Sequence, residues 1–203
     1  MSTLLLLGAG GHGRVVADAA LREGRWRGVS ATDRDAARCL RELLPGVPAA
    51  SPEVALPAAT AVHVAIGNSQ AREAETQAVG VQRLATVIHP DASVSAHARI
   101  GAGCFIAARS VVAPLAALGI GVIVNHGAVV DHDVEVGDFC HVAPNATLGG
   151  NVRLGKRVLI GTGASVLPGV SICDDVTVGA GAVVNASIAG KGVYAGVPAR
   201  RVR

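Results

Sequence analysis

The chain has 203 residues, of which 50% are hydrophobic and only 2% aromatic, and its formal net charge is +3 with neutral histidines. This small positive excess, together with the scarcity of aromatic side chains on which bases could stack, argues against nucleic-acid binding. No apolar stretch approaches the roughly 18 residues of a membrane helix, and Gly8 and Gly10 interrupt the first apolar segment, so we expect neither a membrane span nor a signal peptide.

Residues 1–86 alternate predicted strands with predicted helices. The segments Leu4–Leu7, Val29–Thr32 and Val62–Ile66 are short apolar runs typical of buried parallel strands. Helical patterns follow over Arg14–Glu23 and from about Ser69. The alternation predicts a small, Rossmann-like α/β domain with a parallel sheet.

A glycine-rich turn, Gly8-Ala9-Gly10-Gly11-His12-Gly13, separates the first strand from the first helix and matches the pattern GxGxxG. Asp33 follows at the end of the second predicted strand. Such glycines let a backbone approach a phosphate at a helix N-terminus, and the carboxylate can bind a ribose or a base edge. The module is too short for NAD, so a nucleoside diphosphate fits better. The alternative is a tight turn without a ligand.

A six-residue repeat begins after residue 90. Every sixth position from Val94 to Val184 is aliphatic, the residue two places earlier is small or β-branched, and glycine often follows. A period of six fits neither a helix nor a simple strand but predicts a three-sided β-helix. The aliphatic side chains point inward, the small residues fill the corners, and we expect the glycines to relieve the turns.

These patterns predict a parallel β-helix over residues 87–190, with no long loop between residues 92 and 186, and a C-terminal tail over residues 191–203. The outer faces of such a prism favour packing around a threefold axis, so we expect a homotrimer. The four cysteines are scattered without a paired spacing, which favours reduced thiols and a cytoplasmic protein.

The repeat also carries a candidate catalytic group. His132 lies between Asp131 and Asp133 near a predicted corner, and Gly150 follows it by one coil. Transfer of an acyl group from a thioester needs a base and a donor for the developing oxyanion, which His132 and the Gly150 N–H can supply. A solvated corner is the alternative for His132, and structural roles are the alternatives for His126 and His141. No histidine spacing indicates zinc, so no metal is expected.

Several segments resemble the NeuD/PglD-type sugar acetyltransferases, which have a left-handed β-helix. They are the GGHG turn, Ala65-Ile66-Gly67-Asn68, Ile88-His89-Pro90, Asp131-His132-Asp133-Val134-Glu135-Val136-Gly137, Leu148-Gly149-Gly150-Asn151-Val152 and Tyr194-Ala195-Gly196-Val197-Pro198-Ala199-Arg200. The resemblance implies a bacterial trimer that transfers acetyl from acetyl-CoA to a UDP- or GDP-linked 4-amino sugar, or to sialic acid hydroxyls, for glycan assembly.

The resemblance also implies roles for individual residues. His132 is the expected general base, Asp133 the carboxylate that orients it, where the family often has Glu, and the Gly150 amide the group that faces the thioester carbonyl. The expected nucleotide-sugar contacts are Gly10, Gly11, His12, Asp33 and Gly67. The expected acetyl-CoA contacts are His141, Thr162 and Ala180, with His141 contributed by a neighbouring subunit.

Three other interpretations remain open at this point. The acceptor group can be a hydroxyl instead of an amine, as in O-acetylation of sialic acid or another sugar. A β-helix of this type can also be a carbonic anhydrase, which requires three zinc histidines across a subunit interface, or a non-catalytic sugar-binding subunit. Covalent catalysis through Cys140 is disfavoured, because this residue falls in the series of small, inward positions.

Overall fold

The computed structural model describes residues 2–202. The chain falls into two compact units, and the boundary between them lies between Pro90 and Asp91, a little after the predicted boundary at residue 86. Each unit has its own secondary structure and its own buried core.

The first unit contains a three-stranded parallel sheet in the order β2-β1-β3. Leu4, Leu6 and Leu7 of the central strand are at most 1% exposed, because that strand is covered on both faces. This is the parallel α/β sheet that the sequence predicts. The elements are β1 (Thr3–Leu7), α1 (Gly11–Glu23), β2 (Gly28–Thr32), α2 (Pro52–Ala58), β3 (Ala61–Val64), α3 (Ser69–Val79) and β4 (Val87–Ile88), with 3-10 turns at Ala36–Cys39 and Val81–Arg83.

Helix α1 begins at Gly11 instead of the predicted Arg14, so half of the glycine-rich turn belongs to the helix. Gly10 is the residue before the helix and has an extended backbone. A Cβ atom on Gly13 would lie 2.1 Å from the carbonyl oxygen of Gly8, and Gly8 itself has a φ of 122°. These two glycines therefore let the strand turn directly into the helix.

The second unit is a left-handed parallel β-helix, in agreement with the prediction. Short strands recur with each hexad, and each pairs with the strand one coil away, as Val124 does with Val142 and Val142 with Ile160. One face has six strands: β5 (Ser93–Val94), β8 (Val111–Val112), β11 (Val129–Val130), β14 (Thr147–Leu148), β17 (Ser165–Val166) and β20 (Val183–Val184).

The other two faces follow the same order. The five-stranded face contains β6 (Arg99–Ile100), β9 (Ala117–Leu118), β12 (Glu135–Val136), β15 (Arg153–Leu154) and β18 (Ser171–Ile172). The remaining face contains β7 (Phe105–Ile106), β10 (Ile123–Val124), β13 (His141–Val142), β16 (Leu159–Ile160), β19 (Val176–Val178), β21 (Gly192–Ala195) and β22 (Arg200–Arg201). We call the corner after this face corner 1, the corner after the six-stranded face corner 2, and the third one corner 3.

The inward positions form the core of the β-helix. From Ile106 onward the aliphatic residue of each hexad is buried, and so is the small residue two places before it, including Cys104 and Ser110. A core of one repeated shape explains how the chain folds with 2% aromatic residues.

The glycines after the aliphatic positions do not have the role that the sequence suggests. A positive φ occurs two places later, at every corner from Gly103 to Gly181, and is often adopted by residues other than glycine, such as Leu115, Asp133 and Arg157. A Cβ atom on Gly101 would lie 2.4 Å from the carbonyl oxygen of Gly119 in the next coil. The prediction that these glycines relieve the turn is wrong, since they allow close stacking of coils.

The predicted tail does not leave the prism at residue 191. Strand β21 pairs in parallel with β19, and β22 returns antiparallel to β21, with Tyr194 opposite Arg201. The first part of the segment therefore adds a strand to one face. Its backbone continues the parallel ladder of hydrogen bonds, although the six-residue sequence pattern has ended.

Candidate functional site

A cleft in the first unit collects the predicted substrate residues. It has a volume of ≈ 560 Å³, which lies within the usual range for small-molecule sites. Gly10, Gly11, His12, Asp33 and Gly67 all line it. Its floor is the glycine turn at the N-terminus of α1, and a Cβ atom on Gly11 or Gly67 would meet no atom within 4 Å. Both of these glycines thus leave space for a ligand.

Asp33 organises the floor of the cleft. One carboxylate oxygen, Oδ2, accepts hydrogen bonds from the Ala9 N–H (2.7 Å) and from Arg38 Nη1 (3.3 Å), and Oδ1 accepts one from the Asp35 N–H (2.9 Å). Burial opposes ionisation of Asp33, but these hydrogen bonds and the Arg38 charge outweigh it and lower the pKa of the carboxyl below its ordinary value. Both oxygens of Asp33 therefore hold the glycine turn and the following loop in place.

The cleft also contains charged residues that sequence reasoning missed. A Cβ atom on Gly10 would lie 3.2 Å from Arg38 Nη1. The guanidinium of Arg38 therefore lies beside the N-terminus of α1. Arg34 and Glu75 form a bidentate pair at the cleft, with Nε–Oε1 and Nη2–Oε2 distances of 3.0 and 2.8 Å. The two arginines follow Asp33 closely in the sequence and were detectable there, whereas no local pattern marks Glu75.

A buried arginine supports another wall of the cleft. Arg72 of α3 is 1% exposed, and its Nη1 donates to the carbonyl oxygens of Ile66 (2.8 Å) and Gly67 (2.9 Å), which both line the cleft. Asn68 caps the same helix by accepting from the Ala71 N–H. These contacts fix the backbone that carries Gly67 at the end of β3.

The candidate catalytic residues lie together on corner 2 of the β-helix. His132 Nδ1 is 2.9 Å from Asp133 Oδ2, and the His132 N–H donates to Asp131 Oδ1 (2.7 Å). Asp133 is the corner residue with positive φ (58°), a conformation that Asp tolerates well. With the Nδ1 proton directed to Asp133, Nε2 is the ring nitrogen that can act as a base.

The electrostatics of this corner favour the protonated imidazole. The hydrogen bond to Asp133, followed by the charge of Asp131, raises the pKa of His132 above its ordinary value. The side chains of His132 and Asp133 are 56% and 44% exposed, so the base is open to a substrate.

Gly150 lies one coil away on the same corner, where the Asn151 N–H donates to the His132 carbonyl oxygen (3.0 Å). A Cβ atom on Gly150 would lie 2.6 Å from His132 Nε2 and 2.5 Å from Cε1. The Gly150 carbonyl accepts from the Gly169 N–H (2.9 Å), while no residue within 2–202 accepts a hydrogen bond from the Gly150 N–H. A side chain at position 150 would therefore displace this ring.

The predicted acetyl-CoA contacts lie elsewhere on the β-helix. Thr162 and Ala180 are exposed and stacked on corner 1, where the Gly181 N–H donates to the Thr162 carbonyl oxygen (2.9 Å). His141 lies on the face before that corner, between Ile123 and Leu159, with Nε2 3.1 Å from Asn125 Nδ2. The structure therefore does not bring these residues to the corner of His132.

Other residues that could act as nucleophiles or metal ligands have structural roles. Cys140 is fully buried and its thiol donates to the Gly155 carbonyl oxygen (2.9 Å), which leaves it inaccessible to a substrate. His63 is buried in β3 beside the Ala85 carbonyl oxygen, and burial lowers its pKa to about 4.

Within residues 2–202, no three His, Cys, Asp or Glu side chains form a group that could hold a metal ion. Over the same residues, none of the helices has the length and apolarity to cross a bilayer.

Comparisons with known proteins agree with this architecture. Residues 3–79 match the PglD N-terminal domain family, and residues 151–186 match the bacterial transferase hexapeptide (six repeats) family. The acetyltransferase domain of PglB from Neisseria gonorrhoeae FA1090 is 35% identical, with 100% of both chains covered and a TM-score of 0.92. The chain belongs to the NeuD/PglD-type hexapeptide acetyltransferases. It is thus an acetyltransferase by family, as its motifs indicate.

Solved structures of this family contain substrates. The PglB domain has been solved with acetyl coenzyme A, and that structure is 37% identical over 99% of both chains, with a TM-score of 0.91. PerB from Caulobacter crescentus, solved with CoA and GDP-perosamine, is 34% identical over 100% of this chain and 98% of its own, with a TM-score of 0.91. A search of curated proteins gave no match.

Proposed function

We propose that this acetyltransferase uses acetyl-CoA to acetylate the amine of a nucleotide-linked 4-amino sugar. One observation carries the proposal: the five predicted substrate residues line a single cleft in a chain that matches PerB, an enzyme solved with GDP-perosamine, over its full length.

The cleft offers suitable partners for a nucleoside diphosphate. The N-terminus of α1 has no acidic residue in its first turn, and its backbone N–H groups and the positive end of the helix dipole favour a phosphate. Arg38 beside Gly10 adds a cation at the same place. In this proposal Asp33 positions the turn, while Gly10 and Gly11 bind the phosphates, and His12 and Gly67 lie towards the sugar.

The chemistry is a direct transfer without an acyl-enzyme. The neutral sugar amine attacks the thioester carbonyl carbon, His132 Nε2 takes the amine proton, and the Gly150 N–H donates to the developing oxyanion. The carbon–sulfur bond then breaks, and the CoA thiolate leaves and takes up a proton. Asp133 keeps the His132 ring oriented and stabilises its protonated form.

A homotrimer would complete the site. His132, Asp133 and Gly150 occupy corner 2, whereas Thr162, Ala180 and His141 belong to corner 1 and the face before it. In a trimer, corner 2 of one subunit can meet this surface of its neighbour, so that acetyl-CoA binds between two subunits. We propose this arrangement together with a cytoplasmic location.

Thiol release from acetyl-CoA tests the proposal with a panel of UDP- and GDP-linked 4-amino sugars, with free sialic acid as the hydroxyl acceptor. We expect turnover with an amino sugar and a decrease of roughly 10²- to 10⁴-fold in His132→Ala. His97→Ala is the matched control, because His97 is also an exposed histidine of the β-helix but is not near Gly150.

Other results would reassign the function. Turnover with sialic acid alone would indicate O-acetylation. Full activity of His132→Ala would exclude His132 as the base. If the protein showed neither acetyl-CoA binding nor turnover, it would be a sugar-binding subunit and not an enzyme.

A further inference from the structure

The walls of the cleft differ in chemistry at its outer end. The loop after β2 contributes Asp33, Arg34 and Arg38, and α3 contributes Ala71, Ala74 and Glu75 on the opposite side. The two alanines are exposed and carry only methyl groups, so they leave a flat surface against which a base can lie. Glu75 and Arg34 stand at the edge of this surface.

The Arg34–Glu75 pair joins the two walls. Its two parallel N–H···O contacts, of 3.0 and 2.8 Å, hold the guanidinium and the carboxylate in one plane, although the residues are 41 positions apart. The Arg34 side chain is 60% exposed and that of Glu75 is 17% exposed, so the guanidinium of the pair is open to a ligand in the cleft. Its fixed geometry therefore presents both charged groups together to a ligand in the cleft.

The outer edge of the pair is a hydrogen-bonding template. The two contacts use the Nε hydrogen and one Nη2 hydrogen, which leaves the second Nη2 hydrogen and the Nη1 group as donors. Each carboxylate oxygen of Glu75 keeps a further lone pair. A base that approaches this edge therefore meets a donor next to an acceptor, and both are charged.

Guanine and uracil present different edges to such a template. Guanine offers the acceptor O6 followed by two donors, N1–H and the N2 amino group, whereas uracil offers O4, N3–H and then a second acceptor, O2. The first two groups of either base match arginine and glutamate. The third group is attracted to the carboxylate in guanine and repelled by it in uracil.

We infer that Arg34 and Glu75 read the base of the nucleotide and select guanine over uracil. The inference rests on the proposed nucleotide-sugar function and names its nucleotide as GDP. Asp33 is not the base reader, because it lies on the glycine-turn side of the cleft, where it accepts hydrogen bonds from Ala9, Asp35 and Arg38. Arg38 and the glycine turn are the phosphate side of the cleft, which leaves the α3 side for the base.

Calorimetric titration of the full-length chain with GDP and with UDP tests this assignment. We expect the wild-type protein to bind GDP at least roughly 10-fold more tightly than UDP, as one well-placed pair of base contacts allows. Glu75→Gln replaces one carboxylate oxygen by an amino group. This variant should lose roughly 10-fold or more of its GDP affinity and retain or gain affinity for UDP.

Two further variants keep the test specific. Glu75→Ala removes the acceptor without adding a donor, so it should bind both nucleotides with similar affinity. Asp175→Asn is the matched control, since Asp175 forms a bidentate pair with Arg157 on the β-helix, at 2.7 and 2.9 Å. It should leave both nucleotide affinities unchanged.

Each remaining outcome overturns the inference. Equal binding of GDP and UDP by the wild-type chain, preference for UDP, or an unchanged ratio in Glu75→Gln would exclude Glu75 as the selecting residue, while nucleotide binding itself would stand. Binding of neither nucleotide would overturn the inference and the nucleotide-sugar proposal together. Selective GDP binding without acetyl transfer to any GDP-linked sugar would overturn only the proposed function.

Discussion

Glycines in the first unit and glycines in the β-helix differ in what occupies the space of the missing side chain. Beside Gly13 this space holds backbone of the same strand–helix turn, and beside Gly8 it holds the backbone of Ala65 after β3, while beside Gly11 and Gly67 it is open cleft. In the β-helix, the space beside Gly101, Gly137 and most of their equivalents holds the next coil. A glycine pattern therefore indicates a ligand site only where the space is neither packed nor needed by backbone.

Gly150 belongs to neither group. The atoms that exclude a Cβ there are those of the His132 ring, an exposed side chain, and not those of backbone. Gly150 thus makes room for the ring of the candidate base, as Gly127 does for the side chain of Asn145 at corner 1. The comparison predicts that glycine-to-alanine substitutions separate folding from catalysis.

Gly13→Ala should have the largest effect. Its Cβ would lie 2.1 Å from the Gly8 carbonyl oxygen, which belongs to backbone and cannot move without opening the turn. We expect the free energy of unfolding of the first unit to fall by on the order of 3 kcal/mol. Thermal denaturation followed by circular dichroism measures this loss. A variant with wild-type stability would show that the turn adapts.

Gly150→Ala should abolish most activity without unfolding the protein. The added methyl group displaces the ring of His132, and a shift of about 1 Å in a catalytic group can cost roughly 100-fold in rate. Because the ring is exposed, the thermal midpoint should change little. Steady-state thiol release and thermal denaturation, measured on the same preparation, check both parts. A large loss of stability would place Gly150 among the coil-stacking glycines.

Asp133→Asn tests the electrostatics of the same corner. Asn keeps the positive φ, but the neutral amide no longer raises the pKa of His132. The base must be neutral to accept a proton, so wild-type activity should rise with pH through a pKa above 6.5. In the variant this rise should move to lower pH, and the plateau rate should fall by roughly 10- to 100-fold, less than for a buried triad carboxylate.

The pH dependence of kcat/KM for the amino sugar, with saturating acetyl-CoA, measures the Asp133→Asn shift. Asp131→Asn is an informative companion, since its charge is the second cause of the raised pKa of His132, and it should give a smaller shift in the same direction. A profile unchanged in both variants would mean that another group sets the pH dependence.

Gly11→Ala should have the smallest effect, and any change in the stability of the fold should be an increase. No atom lies within 4 Å of its Cβ position, and alanine favours helix over glycine, so stability should be unchanged or slightly raised. A methyl group on the floor of the cleft should raise the KM for the nucleotide sugar by roughly 10-fold if a phosphate lies there. The KM for acetyl-CoA should stay the same, which serves as the internal control.

The sequence allowed prediction of those features that depend on a repeat or on a short local motif. The hexads from Val94 to Val184 predict the coil, and the coil in turn predicts that Gly150 stacks on His132, because residues one coil apart are neighbours by geometry. The glycine turn predicts the floor of the cleft in the same local way.

Features that depend on contacts between distant segments were not accessible. Glu75 reaches Arg34 only because α3 packs beside the loop after β2, and no pattern in α3 signals this contact. The positive φ values fall on Leu115, Phe139 and Arg157 as well as on glycines, so residue type does not mark that position. The pairing of β21 with β19 uses backbone alone and leaves no trace in the six-residue repeat.

The hairpin of β21 and β22 has a consequence for self-association. A stack of parallel coils exposes a backbone edge at its end, and such an edge can recruit another copy into an open-ended fibre. On one face of the β-helix, β22 runs antiparallel to its neighbour and carries the exposed Arg200 and Arg201. A new parallel coil cannot continue the ladder there, and two adjacent positive charges repel a second copy, so the hairpin terminates growth along the axis.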